Sequence, residues 1–531
     1  MKKLIYIPIV IVVALICVVV VRFSLDKRIP YEVSTANIIV PTFQSSYLDF
    51  DQRLKDSESL PFTASAIIDI DNNGVEELFI GGGPNQEDVL FEYVGGQFKL
   101  LDQGIIDKPD FQDATFAASV IDVDANGFSD LIISRTSGVW LYLNENGRFS
   151  GRKLDLPLGN DTSPLSVAIA DINRDGHFDM YVSGYIKKEL VEGQNIFNKE
   201  DYGGTSRMFL NNGDDSFTDI TETSGLYYKH NTFMGIFVDV DNDGLEDLIV
   251  AHDTGQVRTW RNLGNNKFQN MPNPNSNEYS YPMGIAVTDY LNDGLVDLFF
   301  SNVGSTPPTF LVTGDLRSDQ VFNPDWIMFR NMGGFEFEDI AEQAKLAAYE
   351  FSWGAIFEDF NLDGLDDLVV SENYIGFPPH KIPLLRLPGR FLMQTETGEF
   401  AATGKQSGVI NTGYSISPIT ADFNNDGYPD LVHINIAGKP KAFINDGGEA
   451  NYLKVQLPDT ISSIAAKIRV TLSNGEFLHR DFVSGEGLCS DQSHIQIFGL
   501  DNATATNIAV KYINGETEVK SGEFVNTLVR F

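Results

Sequence analysis

A ten-residue loop returns seven times along this chain, and nothing else in the sequence constrains the fold as strongly. The cleanest copy runs Asp239-Val240-Asp241-Asn242-Asp243-Gly244-Leu245-Glu246-Asp247-Leu248, and the others begin at Asp69, Asp122, Asp171, Asp289, Asp359 and Asp422. Side-chain oxygens at loop positions 1, 3, 5 and 9 around a glycine at 6 are what a hard cation such as Ca2+ requires, because several carboxylate and carbonyl oxygens must converge around a sharply turned backbone. Position 7 contributes its backbone carbonyl: Val75, Phe128, His177, Leu245, Leu295, Leu365 and Tyr428.

An EF-hand would need a glutamate at position 12 and a helix on either side. Position 12 here is Ile80, Ile133, Val182, Val250, Phe300, Val370 or His433, within short apolar runs such as Leu248-Ile249-Val250. Similar runs, for example Ile236-Phe237-Val238, precede each loop, so the motif sits at a strand–loop–strand corner and the ninth-position acid replaces the twelfth. His433 reads as a packed strand residue.

The copies begin 49 to 70 residues apart, and a second signature follows most of them: Leu143-Asn144 to Gly147 and Phe149, Leu210-Asn211 to Gly213 and Phe217, Arg261-Asn262 to Gly264 and Phe268, Arg330-Asn331 to Gly333 and Phe337. An apolar residue, Asn-x-Gly and then Phe reads as a hairpin, giving about four strands per unit. Periods of this size with four strands point to the blades of a ring, since a solenoid would leave two raw ends. The expected fold is therefore all-β, a seven-bladed β-propeller over residues 61–448 followed by a small β-rich domain over 449–531. Unit seven runs from Lys441 to Gly447 straight into that domain, so its outermost strand is missing, and we expect part of residues 38–60 to supply it.

With 531 residues, 42% of them hydrophobic, the chain can bury a large core. Its net charge of −36 is concentrated in the loops, where 22 acids stand at ligand positions, and seven Ca2+ would bring it to −22. Such a surface excludes a nucleic-acid partner, which wants a basic face. Only two cysteines occur, Cys17 in the apolar leader and Cys489 near the other end, so no internal disulfide is expected.

Lys2 and Lys3 precede an apolar run from Leu4 to Val21, followed by Arg22. This reads as an uncleaved signal anchor over residues 1–25, a single transmembrane helix that ties the protein to the membrane; a cleaved signal and a lipoprotein are the alternatives. All three export the remainder to the extracytoplasmic side, at the periplasm or cell surface. Residues 26–60 are a juxtamembrane segment or, in part, the closing strand.

The loops with their Asn-Gly-Phe hairpins resemble the FG-GAP/VCBS repeats of the integrin alpha-subunit β-propeller and of many exported bacterial proteins. The resemblance implies calcium ligands at Asp69, Asp71, Asn73 and Glu77; Asp122, Asp124, Asn126 and Asp130; Asp171, Asn173, Asp175 and Asp179; Asp239, Asp241, Asp243 and Asp247; Asp289, Asp293 and Asp297; Asp359, Asn361, Asp363 and Asp367; and Asp422, Asn424, Asp426 and Asp430. Leu291 occupies a ligand position in the fifth copy, and Glu77 replaces the usual aspartate in the first. The fourth site, with four carboxylates, is expected to bind most tightly and the fifth most weakly.

After residue 449 no calcium loop recurs. Ala465 to Val470, Arg480 to Gly487, Ser490 to Ser493 and Phe498-Gly499-Leu500 resemble the ASPIC/UnbV domain of the cartilage acidic protein family, with Leu488-Cys489 where that family has a glycine-tyrosine pair. The two resemblances cover about 470 residues of the chain.

The seven histidines are scattered, and no HExxH spacing, G-x-S-x-G elbow or phosphate-cradling loop is present. A carboxylate pair acting on polysaccharide is not expected to repeat seven times. The chain reads as a non-catalytic calcium scaffold for protein binding or adhesion, with a lectin-like glycan binder as the alternative. Tyr185, Phe197, Tyr202, Tyr374 and Phe377 lie near loop mouths and fit either ligand. Long inserts at 184–207, 302–328 and 373–391 fall on the side away from the metal loops. That face is expected to bind the partner, with Arg386 and Arg390 contacting an anionic group.

Overall fold

The computed structural model describes residues 29–54, 59–101, 105–191, 202–214, 216–304, 316–374 and 386–531. The protein is all-β; the α-helices among the described residues are single turns such as Thr221–Ser224 and Gly404–Ser407. The transmembrane helix expected over residues 1–25 lies outside the described residues. Among those described, no helix is long and apolar enough to cross a membrane.

Seven antiparallel meander sheets carry the repeats. In the fourth, Thr232–Val238, Asp247–His252, Arg258–Asn262 and Phe268–Met271 pair in chain order. The first strands of the sheets, Ser65–Ile68, Thr115–Ile121, Thr162–Ala170, Thr232–Val238, Ile285–Thr288, Ser352–Glu358 and Ser415–Ala421, pack side by side in that order, and the last returns to the first. These strands are buried almost throughout, whereas outer strands such as Phe149–Lys153 are mostly exposed. The apolar runs are buried on both faces because each sheet is packed against a neighbour on either side: Leu248 and Val250 meet Ala168 and Tyr181 of the third sheet, while Ile249 and Ala251 join the central cluster.

The seventh sheet takes its outer strand from the other end of the chain. Phe43–Tyr47 lies antiparallel to Lys441–Asn445, with Phe43 opposite Asn445 and Tyr47 opposite Lys441. Thr42 Oγ1 donates to Asp446 at 2.6 Å, the Leu48 N–H donates to the Pro440 carbonyl at 3.1 Å, and the Phe43 ring meets Phe360 and Phe391 edge-on. The strand covers a sheet edge that would otherwise present unpaired N–H and C=O groups.

Two sheets follow residue 449. Asn451–Gln456 lies between Ile495–Asp501 and Thr527–Arg530; Lys467–Leu472 lies between Phe477–Asp481 and Ala505–Lys511, with Thr517–Phe524 outermost. They stand on the end of the ring that carries the repeat loops. The Asp459 carbonyl accepts from the Asp122 N–H (2.7 Å), Lys467 Nζ donates to the Asp239 carbonyl (3.1 Å), the Asp501 N–H donates to the Leu362 carbonyl (2.9 Å), and Lys454 pairs with Asp422.

From these sheets the segment Ser484–Gln492 enters the axis of the ring. Leu488 and Cys489 are buried among Phe62, Phe116, Met234, Ile285, Trp353 and Ile416, so Cys489 is a core residue whose thiol burial pushes well up. The first strand of each sheet is an edge whose outward N–H groups need acceptors. The inserted segment supplies them. Asp491 Oδ2 accepts from Val120 N–H (2.7 Å), Glu486 Oε1 from Val287 N–H (2.9 Å) and Gln492 Oε1 from Thr420 N–H (3.0 Å). Gly487 exchanges backbone bonds with Ile285, and Ser490–Asp491 adds to Ser65–Ala66 as a short parallel strand. Gly487 has φ +99°, and a Cβ there would stand 2.4 Å from Ser490 Oγ, so only glycine fits.

The third insert is corrected in part. Residues 375–385 lie outside the described residues, but Arg390 does not face a ligand: it is buried, with Nε 2.9 Å from Glu372 and Nη2 2.5 Å from Glu350. A buried guanidinium requires internal carboxylates, and both acids lie in the same sheet region, outside the insert. The Arg386 guanidinium stacks over Tyr414, 5.1 Å from the ring centre.

Two outcomes follow from this architecture. Leu48→Ala, which empties a buried position just after the closing strand, should lower the unfolding free energy by about 2–5 kcal/mol in chemical denaturation. His494 is also decisive: burial works against its charge, but Asp459 (2.8 Å) and Asp491 outweigh burial and hold its pKa up at about 9. The stability it adds is fully present below pH ~6.5, its unfolded value, and is lost as pH rises through about 9. The melting-temperature gap between wild type and His494→Gln should therefore be wide at pH 6 and closed at pH 10.

Candidate metal centre

All seven loops lie at the turn from the first to the second strand of their sheets and share one geometry. In six of them the first-position aspartate turns one oxygen to the position-5 N–H and the other to the glycine N–H, as in Asp171, which accepts from Asp175 (3.0 Å) and Gly176 (2.9 Å); in the fourth, Asp239 makes only the glycine bond, from Gly244 at 3.1 Å. The position-5 side chain accepts the position-7 N–H, as Asp426 does from Tyr428 at 2.9 Å. These bonds fold the loop around its own oxygens. Position 4 lies in the left-handed region in every copy, with φ between 53° and 60° at Asn72, Ala125, Arg174, Asn242, Asn292, Leu362 and Asn425, which is why asparagine recurs there.

The ninth-position acid holds the loop to the sheet. One oxygen of Asp297 accepts the Tyr290 N–H (2.9 Å) and the other the Asn331 N–H of the hairpin (2.6 Å). Asp130 repeats this with Val123 and Asn144, Asp179 with Ile172 and Asn211, Asp247 with Val240 and Asn262, Asp367 with Phe360 and Gln394, and Asp430 with Phe423 and Asn445. Glu77 takes the Ile70 N–H at 3.0 Å, so its extra methylene is accommodated.

The hairpin asparagine then reaches the neighbouring sheet. Its Oδ1 accepts the glycine N–H of Asn-x-Gly, as from Gly333 (2.9 Å), while Nδ2 donates to the second-position carbonyl of the preceding loop: Asn144 to Ile70, Asn331 to Val240 and Asn445 to Phe360, all at 2.9–3.0 Å. Gln394 does the same to Tyr290. A second belt joins position 4 to the glycine carbonyl of the next loop, from Asn72 to Gly127, Arg174 to Gly244, Asn242 to Gly294 and Asn292 to Gly364. Sequence reasoning found the two signatures but not these links, for which the recurring asparagine at position 4 was the available signal.

Two loops gather three carboxylates so that one oxygen from each lies within 4.8 Å of the others: Asp122 with Asp124 and Asp130, and Asp239 with Asp241 and Asp247. Ligands 2.3–2.6 Å from a Ca2+ ion fall within that span. In the fourth loop Asp239 Oδ1 and Asp241 Oδ1 are buried with no hydrogen-bond partner among the described residues, so the donor set fits a cation. Burial, with the neighbouring acids adding to it, pushes Asp247 up to about 9 and Asp130 to about 7. Arg261 stands at the rim of the fourth loop, 2.6 Å from Asp241 and 3.2 Å from Asp243, offsetting part of the charge that makes this copy the richest in acids. Leu291 points out to solvent and leaves the fifth loop one oxygen short.

Of the five aromatic residues near loop mouths, the three that are described are not displayed for a ligand. Tyr185 donates to Asp253 at 2.5 Å, and Tyr202 and Tyr374 are buried; Phe197 and Phe377 lie outside the described residues. Replacing Asn331 by alanine should cost about 1–3 kcal/mol in unfolding free energy, because the buried Val240 carbonyl loses its donor.

The model for the FG-GAP-like repeat matches residues 122–182 and 239–300. Cartilage acidic protein 1 of Xenopus tropicalis is 23% identical over 495 residues, covering 86% of this chain and 71% of that one. The Mus musculus protein of the same name is 20% identical over 496 residues, with the same coverage. Among solved structures, BBS1N in complex with ARL6DN is 10% identical at a TM-score of 0.44, covering 76% of this chain and 97% of that one. The chain thus carries FG-GAP repeats and is homologous to cartilage acidic protein 1 over most of its length.

Proposed function

We propose that this chain is a non-catalytic binding scaffold, a seven-bladed β-propeller whose repeat loops hold Ca2+ and whose opposite face engages a protein partner outside the cytoplasm. The observation that carries the reading is that Asp239 and Asp241 each keep one buried, unpartnered oxygen in a loop where one oxygen from each of Asp239, Asp241 and Asp247 lies within 4.8 Å of the others. A buried carboxylate oxygen without a partner carries an uncompensated desolvation cost, and a divalent cation removes it. The ligands are those at positions 1, 3, 5 and 9, with the position-7 carbonyls.

The recurrent carboxylates serve structure: each ninth-position acid spends its oxygens on backbone N–H groups, an arrangement that braces loops and leaves no matched acid and base for hydrolysis. The C-terminal sheets occupy the loop-bearing end, so the opposite end is the one left for a partner. An extracytoplasmic setting agrees with relatives named for cartilage, an extracellular matrix.

Extracellular sites of this kind bind calcium at ~10⁻⁴ to 10⁻³ M, and saturation a hundredfold above the dissociation constant stabilises the folded state by about 2.7 kcal/mol per site. EDTA should therefore lower the melting temperature and millimolar Ca2+ should restore it. Identical melting with and without chelator overturns the calcium reading.

A further inference from the structure

Six of the seven loops carry aspartate or asparagine at the third position, whereas the fifth carries Leu291. That exchange gives up a ligand oxygen and leaves a leucine side chain 51% exposed, which stabilises neither the loop nor the core. Leu291 lines a cleft of about 960 Å3 at the margin where the C-terminal sheets meet the ring. Phe477, at the start of the edge strand Phe477–Asp481, lines the same cleft from the C-terminal side and is 39% exposed.

The walls of this cleft are tied to one another. The His479 N–H donates to Asn292 Oδ1 at 3.3 Å, and the Asp501 N–H donates to the Leu362 carbonyl at 2.9 Å. The Arg469 guanidinium lies 3.7 Å over the centre of the Phe477 ring and holds it in place. The volume falls within the roughly 300–1,000 Å3 of ligand pockets, and exposed apolar side chains gathered behind a polar rim mark a binding surface.

The rim carries one sign of charge. Asp363, Glu396, Glu476 and Asp501 line the cleft, and no lysine, arginine or histidine among the described residues does. Asp363 belongs to the sixth repeat loop; the other three are exposed carboxylates on separate turns, one from the ring and two from the C-terminal sheets. A cleft lined by one sign focuses its field on a partner of the other sign. Contacts spread over several turns suit a length of chain better than a compact ion.

We propose that this cleft binds an extended segment of a partner protein in which a bulky apolar side chain stands next to lysine or arginine. The apolar side chain seats against Leu291 and Phe477, and the cations face Glu396, Glu476 and Asp501. This is a second site, at the margin of the loop-bearing end, and it depends neither on the calcium reading nor on the partner face proposed above.

For the test, short random peptides displayed on phage are selected on the full-length protein in millimolar Ca2+, and the enriched sequences are measured by fluorescence anisotropy. They should pair a bulky apolar residue with lysine or arginine. Leu291→Ser and Phe477→Thr should each weaken them about tenfold or more, the loss expected when an apolar anchor is removed. Glu396→Gln combined with Glu476→Gln should weaken them several-fold at low salt and much less at high salt, where exposed charges are screened. Val519→Ser, on the exposed outer strand Thr517–Phe524, should leave binding unchanged. If Phe477→Thr does not fold, Leu291→Ser, at an exposed loop position, carries the reading alone. A pool that yields no binder, binders rich in acids, or binders that hold Leu291→Ser as tightly as the wild type overturns the proposal. A glycan-array signal that Leu291→Ser abolishes assigns the cleft to a saccharide and overturns it as well.

Discussion

The ninth-position carboxylate is the interaction on which the rest of the structure depends. With one oxygen on the second-position N–H and the other on the hairpin N–H, it binds the turn between the first two strands to the end of the third. Because the group is buried, each of these charge-assisted bonds is strong, and losing the acceptor would leave two backbone donors unsatisfied. The hairpin asparagine extends the tie to the preceding loop. Turns that read in sequence as independent motifs are thereby tied to their neighbours, the first to the second and the third through the seventh in succession.

Concentrating carboxylates in this way has a cost that the fold meets by several routes. Arg261 stands across two acids of the fourth loop, and Lys454 pairs with the first acid of the seventh. Elsewhere in the interior Arg135 and Lys108 converge on Asp88, and Arg390 bridges Glu350 and Glu372, so these buried charges are matched within the protein. One oxygen of Asp239 and one of Asp241 have no hydrogen-bond partner among the described residues. Interior charge is thus compensated by side chains at these places, and the unpartnered oxygens of the fourth loop are the ones the proposed cation would take.

The segment after residue 449 is part of the ring's energetics as well as its cover. A closed ring of sheets leaves its first strands as edges facing a narrow axis, where water is a poor partner for scattered N–H groups. Glu486, Asp491 and Gln492 accept from strands of the fifth, second and seventh sheets, and Leu488 and Cys489 fill the apolar centre between them. Leu488 and Cys489, which stand where the resemblance leads one to expect a glycine-tyrosine pair, are both buried there.

The sequence by itself determined the local chemistry: strands on either side of each loop, the donor set with its glycine, the Asn-x-Gly hairpins, and the all-β class. These are legible because periodicity and turn residues act within a few positions of one another. It also marked Lys441 to Gly447 as an edge in need of a strand and residues 38–60 as the expected source, within which the fold places Phe43–Tyr47 at that edge. Whether a charged residue faces solvent or the interior was decided by tertiary structure alone. Arg390 reads as a contact for an anionic group of a ligand and is in fact neutralised by two buried glutamates, Glu350 and Glu372. Burial and pairing arise from residues brought together by sheet packing, and that information is absent from the spacing of residues along the chain.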